Sequence, residues 1–146
     1  MKKIASFRIA LVLAGLFFAA CNRGDELAPP KILLTEVGHD NSHVAYIGDD
    51  IHLEADIEAE GRIKSIFVEL SHEAGNGYKI VEEWTSGKYI GVKNTEFHEH
   101  IDIPTNAPEG EYHLYLTVAD REGNQSQASA SVDIRTPNQL PNVRKS

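Results

Sequence analysis

From residue 31 onward, apolar and polar residues alternate in short runs separated by turn-forming residues. Residues 31–37 (KILLTEV) predict a first strand. Residues 51–59 (IHLEADIEA) alternate without a break. Ile51, Leu53, Ala55 and Ile57 take one face, and His52, Glu54, Asp56 and Glu58 take the other. A period of two with this polarity predicts a strand buried on one side and wet on the other. Gly61 ends the run, and 63–70 (IKSIFVEL) place Ile66, Val68 and Leu70 on one face. After the glycine-rich loop HEAGNG, 78–84 predict a fourth strand, while SGKYIGVKN is irregular with room for a short edge strand. Residues 96–103 (EFHEHIDI) alternate again: Phe97, Ile101 and Ile103 point in with Glu99 as an awkward companion, and His98, His100 and Asp102 point out. Residues 111–120 put Tyr112, Leu114, Leu116 and Val118 on one side. REGN is a turn, and 127–134 form a last strand with Ala128, Ala130 and Val132 inward.

Several short strands at near-regular spacing, with no helical period after residue 20, predict an all-β fold: a single antiparallel β-sandwich of about seven strands. The segment PEGEYHLYLTVADREGNQS strengthens this. It resembles the penultimate strand of bacterial immunoglobulin-like and fibronectin-like domains, where Gly-x-Tyr opens the strand and Asp-x-x-Gly-Asn closes it. The resemblance implies an immunoglobulin-like sandwich in which the Tyr112 hydroxyl bonds upstream backbone.

Ahead of the strands the chain reads MKKIASFRIALVLAGLFFAAC. A positive start (Lys2, Lys3, Arg8), an apolar run over 9–18 and small Ala19 and Ala20 have the layout of a secretory signal. The run is short of the ~20 apolar residues a spanning helix needs. The ending resembles the bacterial lipobox, with Phe18 where Leu is usual. That likeness implies cleavage before Cys21 and acylation of its thiol and freed amine, which gives stable membrane anchoring. Cys21 is the only cysteine in the chain and has no internal disulfide partner. The expected organisation is a signal peptide over 1–20, a lipid-anchored tether over 21–29, the sandwich over 30–136 and a frayed tail over 137–146. Asp25 and Glu26 in the tether resemble the acidic surface-export signal of some Bacteroidetes lipoproteins; a plain solvated linker accounts for them equally well. Lipobox, acidic tether and sandwich together resemble an uncharacterised family of Bacteroidetes lipoproteins. The likeness implies an outer-membrane location, on the periplasmic or the surface side, and implies no activity.

Charge narrows the partners. Without residues 1–20, eleven Lys and Arg stand against 22 Asp and Glu, a net charge of −11 with histidine neutral. Such a surface repels nucleic acid. The expected contacts are the membrane, through the lipid, and an envelope protein.

All seven histidines follow the leader: His39, His43, His52, His72, His98, His100 and His113. The immunoglobulin-like resemblance implies that 51–59 pairs antiparallel with 96–103. His52, Glu54 and Asp56 then share an outer face with His98, His100 and Asp102. His98 and His100 are two apart on a strand, so both point the same way with Cα atoms about 6.8 Å apart. With His52 opposite, three imidazoles can meet one ion. The loop GHDNSHVAYIGDD enters at the same end, so His39, Asp40 or His43 can fold over it. Imidazole with carboxylate suits zinc or copper. Equally, an exposed strand face needs polar residues of some kind, histidine among them. His72 reads as loop, and His113 falls on the opposite sheet.

Other chemistry is thinner. Tyr78, Trp84 and Tyr89 could form a ring platform for a glycan, or pack into the core. Asp120, Glu122 and Asn124 alternate near a glycine but lack the spacing of a calcium loop and fit a hairpin turn. There is no phosphate loop, no Gly-x-Ser-x-Gly and no HExxH, so no enzyme is expected. The function expected is an envelope-anchored, non-catalytic binding or accessory module that takes a transition metal. The alternatives are a glycan-binding accessory and a structural protein whose sheet edges pair with another protein.

Overall fold

The computed structural model of the chain describes residues 26–137. The signal segment, Cys21, Asp25 and the tail beyond 137 lie outside the described residues. Residues 26–29 are exposed and form no strand.

Eight strands build the fold: β1 (Lys31–Val37), β2 (Val44–Tyr46), β3 (Asp50–Glu58), β4 (Ile63–His72), β5 (Lys79–Trp84), β6 (Asn94–Asp102), β7 (Gly110–Asp120) and β8 (Gln125–Arg135). They form two sheets in a sandwich, one ordered β1-β3-β6 and the other β2-β8-β7-β4-β5. The alternation in the sequence sets which residues meet. Leu53, Ala55 and Ile57 of β3 and Phe97 and Ile101 of β6 face Ile66, Val68 and Leu70 of β4 and Leu114, Leu116 and Val118 of β7, and all are buried. Full burial of a Leu, Ile or Phe side chain contributes about 1.5–3 kcal/mol. A slip of one residue in β3 would turn every one of its apolar residues to water, so the core holds the register.

The expected Tyr112 contact is present. Its hydroxyl donates to Pro108 O at 2.8 Å from a fully buried ring. Burial, with Tyr78 nearby, pushes its pKa up to about 12.

Three local features differ from expectation, and a fourth agrees with it. β2 was not foreseen. It is three residues long, too short to show a period, and it pairs parallel with β8 (Val44↔Asp133 to Tyr46↔Arg135), the exception in an otherwise antiparallel arrangement. The stretch 85–93 forms bends and turns instead of an edge strand. His72 is the last residue of β4 instead of loop; its ring packs edge-on to Tyr112 at 4.8 Å and its Nε2 donates to Glu109 O. Asp120 closes the β7–β8 turn. Its buried carboxylate accepts from the backbone of Glu122 and from the backbone and side chain of Asn124, which is the turn reading of that trio.

Candidate metal centre

β3 and β6 pair antiparallel, as expected, with His52 opposite His100, Glu54 opposite His98, Asp50 opposite Asp102 and Asp56 opposite Glu96. Side chains of directly opposite residues lie within reach of each other. Because the apolar partners of these residues point into the sandwich, the polar set emerges together on the outer face. One ligand atom from each of His52, His98 and His100 lies within 4.8 Å of the others.

The three rings form a corner. His52 meets His98 at 4.6 Å and His100 at 4.9 Å between centroids, edge to face in both cases. His52 is the sheltered member, with 16 % of its side chain exposed against 48 % for His98 and 54 % for His100. The centre is therefore a shallow site floored by His52 and open on the His98–His100 side.

Carboxylates frame the rings. Glu54 Oε1 accepts from His52 Nε2 at 3.1 Å and stands 2.8 Å from His98 Nδ1. Asp50 Oδ1 accepts from His100 Nδ1 at 2.8 Å. Glu36 Oε2 stands 3.8 Å from His52 Nε2. Glu36 reaches this face through an irregularity in β1. Ile32 and Leu34 pack toward the core, and strict alternation would send Glu36 after them. A register shift between Leu34 and Glu36 turns Glu36 outward beside Glu54 and lets Val37 bury instead. Re-aiming a side chain in this way is what a β-bulge does.

The hydrogen-bond chain is internally consistent. If His52 Nε2–H donates to Glu54, its Nδ1 is a free acceptor. That atom lies 3.4 Å from His100 Nε2, close enough to share a proton, while His100 Nδ1–H is held by Asp50. The His100 pKa is raised, first by the hydrogen bond to Asp50; burial opposes this, and the charges of Asp50 and then Glu99 add to the rise. A metal can replace the proton between the two rings. Zinc bonds of about 2.0–2.1 Å at tetrahedral angles separate neighbouring ligand atoms by roughly 3.3 Å. The 3.4 Å gap matches that edge. Asp50 then plays the part of the carboxylate that orients a metal-bound imidazole through its far nitrogen.

The loop histidines do not complete the set. His39 is exposed, pairs with Asp40 and lines a hollow of about 600 Å³ beside His52 and His100, but it brings no atom within ligand distance of them. His43 turns to the other sheet, where its Nδ1 donates to Ser131 O. Neither ring joins the cluster: the 3-10 turn at His39–Asn41 leaves His39 beside the hollow, and His43 is held at Ser131. His113 lies on the opposite sheet, as expected. Three members of the site fall outside the expected ligand set: Glu36, Glu54 and Asp50. Glu54 and Asp50 share the alternation of His52 and were legible from it; Glu36 was hidden by the bulge.

The aromatic platform does not assemble. Tyr89 is buried against Phe97 at 5.0 Å, and Trp84 packs on the same ring at 5.0 Å. Tyr78 sits at the far end of β5, near Tyr112 and Asn106.

The family described as Domain of unknown function (DUF4625) matches residues 19–135. No curated protein matches the sequence. Among solved structures, the chain resembles OgpA from Akkermansia muciniphila, solved as a catalytically inactive form with an O-glycopeptide (glycodrosocin) substrate. Identity is 15 %, the TM-score is 0.52, and the match covers 73 % of this chain and 29 % of that one. It also resembles the GspB Siglec domain at 17 % identity and TM-score 0.54, over 80 % of this chain and 62 % of that one. The chain thus spans about three-tenths and six-tenths of those proteins, and likenesses at this identity concern the fold alone.

Proposed function

We propose that this chain, which belongs to the DUF4625 family and takes no activity from that membership, is a non-catalytic binding module that holds a transition-metal ion on the outer face of its three-stranded sheet. His52 Nδ1 and His100 Nε2 are the first two ligands and His98 is the third, while Glu54 and Glu36 stand on the Nε2 side of His52 and orient its ring. The observation that carries this is the convergence of three imidazoles, two of them with ring nitrogens 3.4 Å apart and one backed by Asp50.

The donors are nitrogen and oxygen only. The single cysteine, Cys21, and the single methionine, Met1, both precede the strands. That set favours Zn(II), Cu(II) or Ni(II) over Cu(I). Binding displaces a proton from His100, so affinity rises with pH through its raised pKa. The module is read as a lipoprotein of the cell envelope held through Cys21. The glycan alternative loses its support with the platform, since OgpA's glycopeptide belongs to OgpA.

Elemental analysis of the chain purified without an affinity tag should give about one zinc or copper per molecule after exposure to the metal. His98→Ala with His100→Ala should remove it. Full metal retention in that double variant, with an intact fold, discards the site.

A further inference from the structure

The five-stranded sheet has an edge that β2 leaves largely open. β2 covers β8 only from Asp133 to Arg135. Asp133 N–H donates to His43 O and Arg135 O accepts from Ile47 N, so odd-numbered residues of β8 direct their backbone groups away from β7 and toward this side. By the same alternation Gln125, Gln127, Ser129 and Ser131 direct theirs to the open edge. Among the described residues the one bond made there is to Ser131 O, from the His43 ring.

Exposed edges are normally guarded by charge, proline or a bulge. β1 has a bulge with Lys31 and Glu36. β5 has Lys79, Glu82 and Glu83. β6 has Glu96, Glu99 and Asp102, and the Tyr89 hydroxyl accepts the His98 N–H. The β8 window, Gln-Ser-Gln-Ala-Ser-Ala-Ser over 125–131, has none of these, and its register with β7 is unbroken. Gln127, Ser129 and Ser131 are exposed, and the inward Ser126, Ala128 and Ala130 are small and only half-buried.

We infer that two copies of this chain pair antiparallel through residues 125–131 of β8, about a two-fold axis at Ala128. Gln127 then lies opposite Ser129 of the second copy, and Gln125 opposite its Ser131. Each free N–H faces a carbonyl, as an isologous contact requires, with Ser131 O taking the Gln125 N–H on the lone pair that the His43 ring leaves open. The occupant follows from charge and shape. The whole chain carries a net charge of −8, so like copies repel across most of their surfaces, but this strip brings only uncharged Gln, Ser and Ala together. The window is also closed at both ends, by β2 with His43 at one and by the Asp120–Asn124 turn at the other, which leaves a stretch symmetric about Ala128. Ala128 facing its own copy lets the strands approach to the usual ~4.8 Å. This inference is independent of the metal reading.

The test is sedimentation equilibrium of the full chain in density-matched detergent, up to about 0.5 mM because a single strand pair lies among the small, weak interfaces. The wild type should move from one chain toward two. Gln127→Lys with Ser129→Lys, which sets lysine opposite lysine, should weaken pairing at least about tenfold. Val81→Lys on the β5 edge should leave it unchanged. Amide exchange at Gln127 and Ser129 should slow as concentration rises, which reads the edge without any substitution. A wild type that stays single throughout, pairing that survives the double lysine variant, or pairing lost in Val81→Lys overturns the inference.

Discussion

Tyr89→Phe isolates how the interior fixes the histidine face. The Tyr89 ring is buried, and its hydroxyl is the only polar atom removed. It accepts the His98 N–H at 3.2 Å, clamping the free edge of β6 at a residue of the histidine cluster. Its one proton is shared between His98 O, at 2.8 Å, and the Glu99 carboxylate. Glu99 is the carboxylate that breaks the apolar face of β6, and this hydroxyl is what receives it. Phenylalanine keeps the packing on Phe97 and removes one charge-assisted and one neutral hydrogen bond. Bonds to charged groups are worth about 1.5–3 kcal/mol and neutral ones about 1. Lys88 remains 3.5 Å from Glu99, and 26 % of the Glu99 side chain is exposed, so water and Lys88 recover part of the loss. The expected cost is about 2–3 kcal/mol. For a domain of roughly 110 residues that lowers Tm by about 8–15 °C. Calorimetry on the metal-free protein reads it. Metal affinity should fall as well, because the backbone carrying His98 loses its anchor. A drop of less than about 3 °C would refute the clamp. If Glu99→Gln and Tyr89→Phe prove additive in a double-mutant cycle, the pairing of hydroxyl and carboxylate is refuted too.

Two further outcomes follow from the same contacts. In Asp50→Asn the His100 pKa should fall toward its ordinary value, read by NMR titration of the ring. The raised value stabilises the fold fully below the ordinary histidine pKa, and that contribution fades as pH rises through the raised one, so the variant should lose stability on the acid side and not on the alkaline side. Loss of the orienting carboxylate should also weaken metal binding about 10–100-fold, measured by competition with a chelator. In Gly61→Ala the new Cβ would stand 2.5 Å from Asp120 Oδ2, and that carboxylate cannot swing aside without breaking its turn. Overpacking of this kind should cost about 1–3 kcal/mol in denaturant unfolding; an unchanged midpoint would show that the turn yields freely.

The parts of this molecule that were legible in the sequence are those governed by strict alternation. β3 carries an unbroken period of two and β6 one interrupted only by Glu99, and burial of Leu53, Ile57, Phe97 and Ile101 forces the histidines between them outward. The faces follow from composition alone, but the register does not, since a slip of two residues preserves them; the observed pairing of His52 with His100 is fixed by partners elsewhere in the fold. The misreadings lie where alternation is broken or too short. At Glu36 the bulge inserts one residue, which inverts inside and outside for the rest of β1, and nothing in KILLTEV marks it. At β2 three residues cannot declare a period, so His43 looked free to join the metal face when its ring is committed to Ser131. Trp84 and Tyr89 pose a third kind of problem. An aromatic residue near a strand end serves a ligand platform or a core equally well, and what decides is Phe97, which both rings share from a different strand. Phe97 neighbours His98, so the ring that draws the supposed platform into the interior is also the one that holds β6 in place beneath its imidazoles.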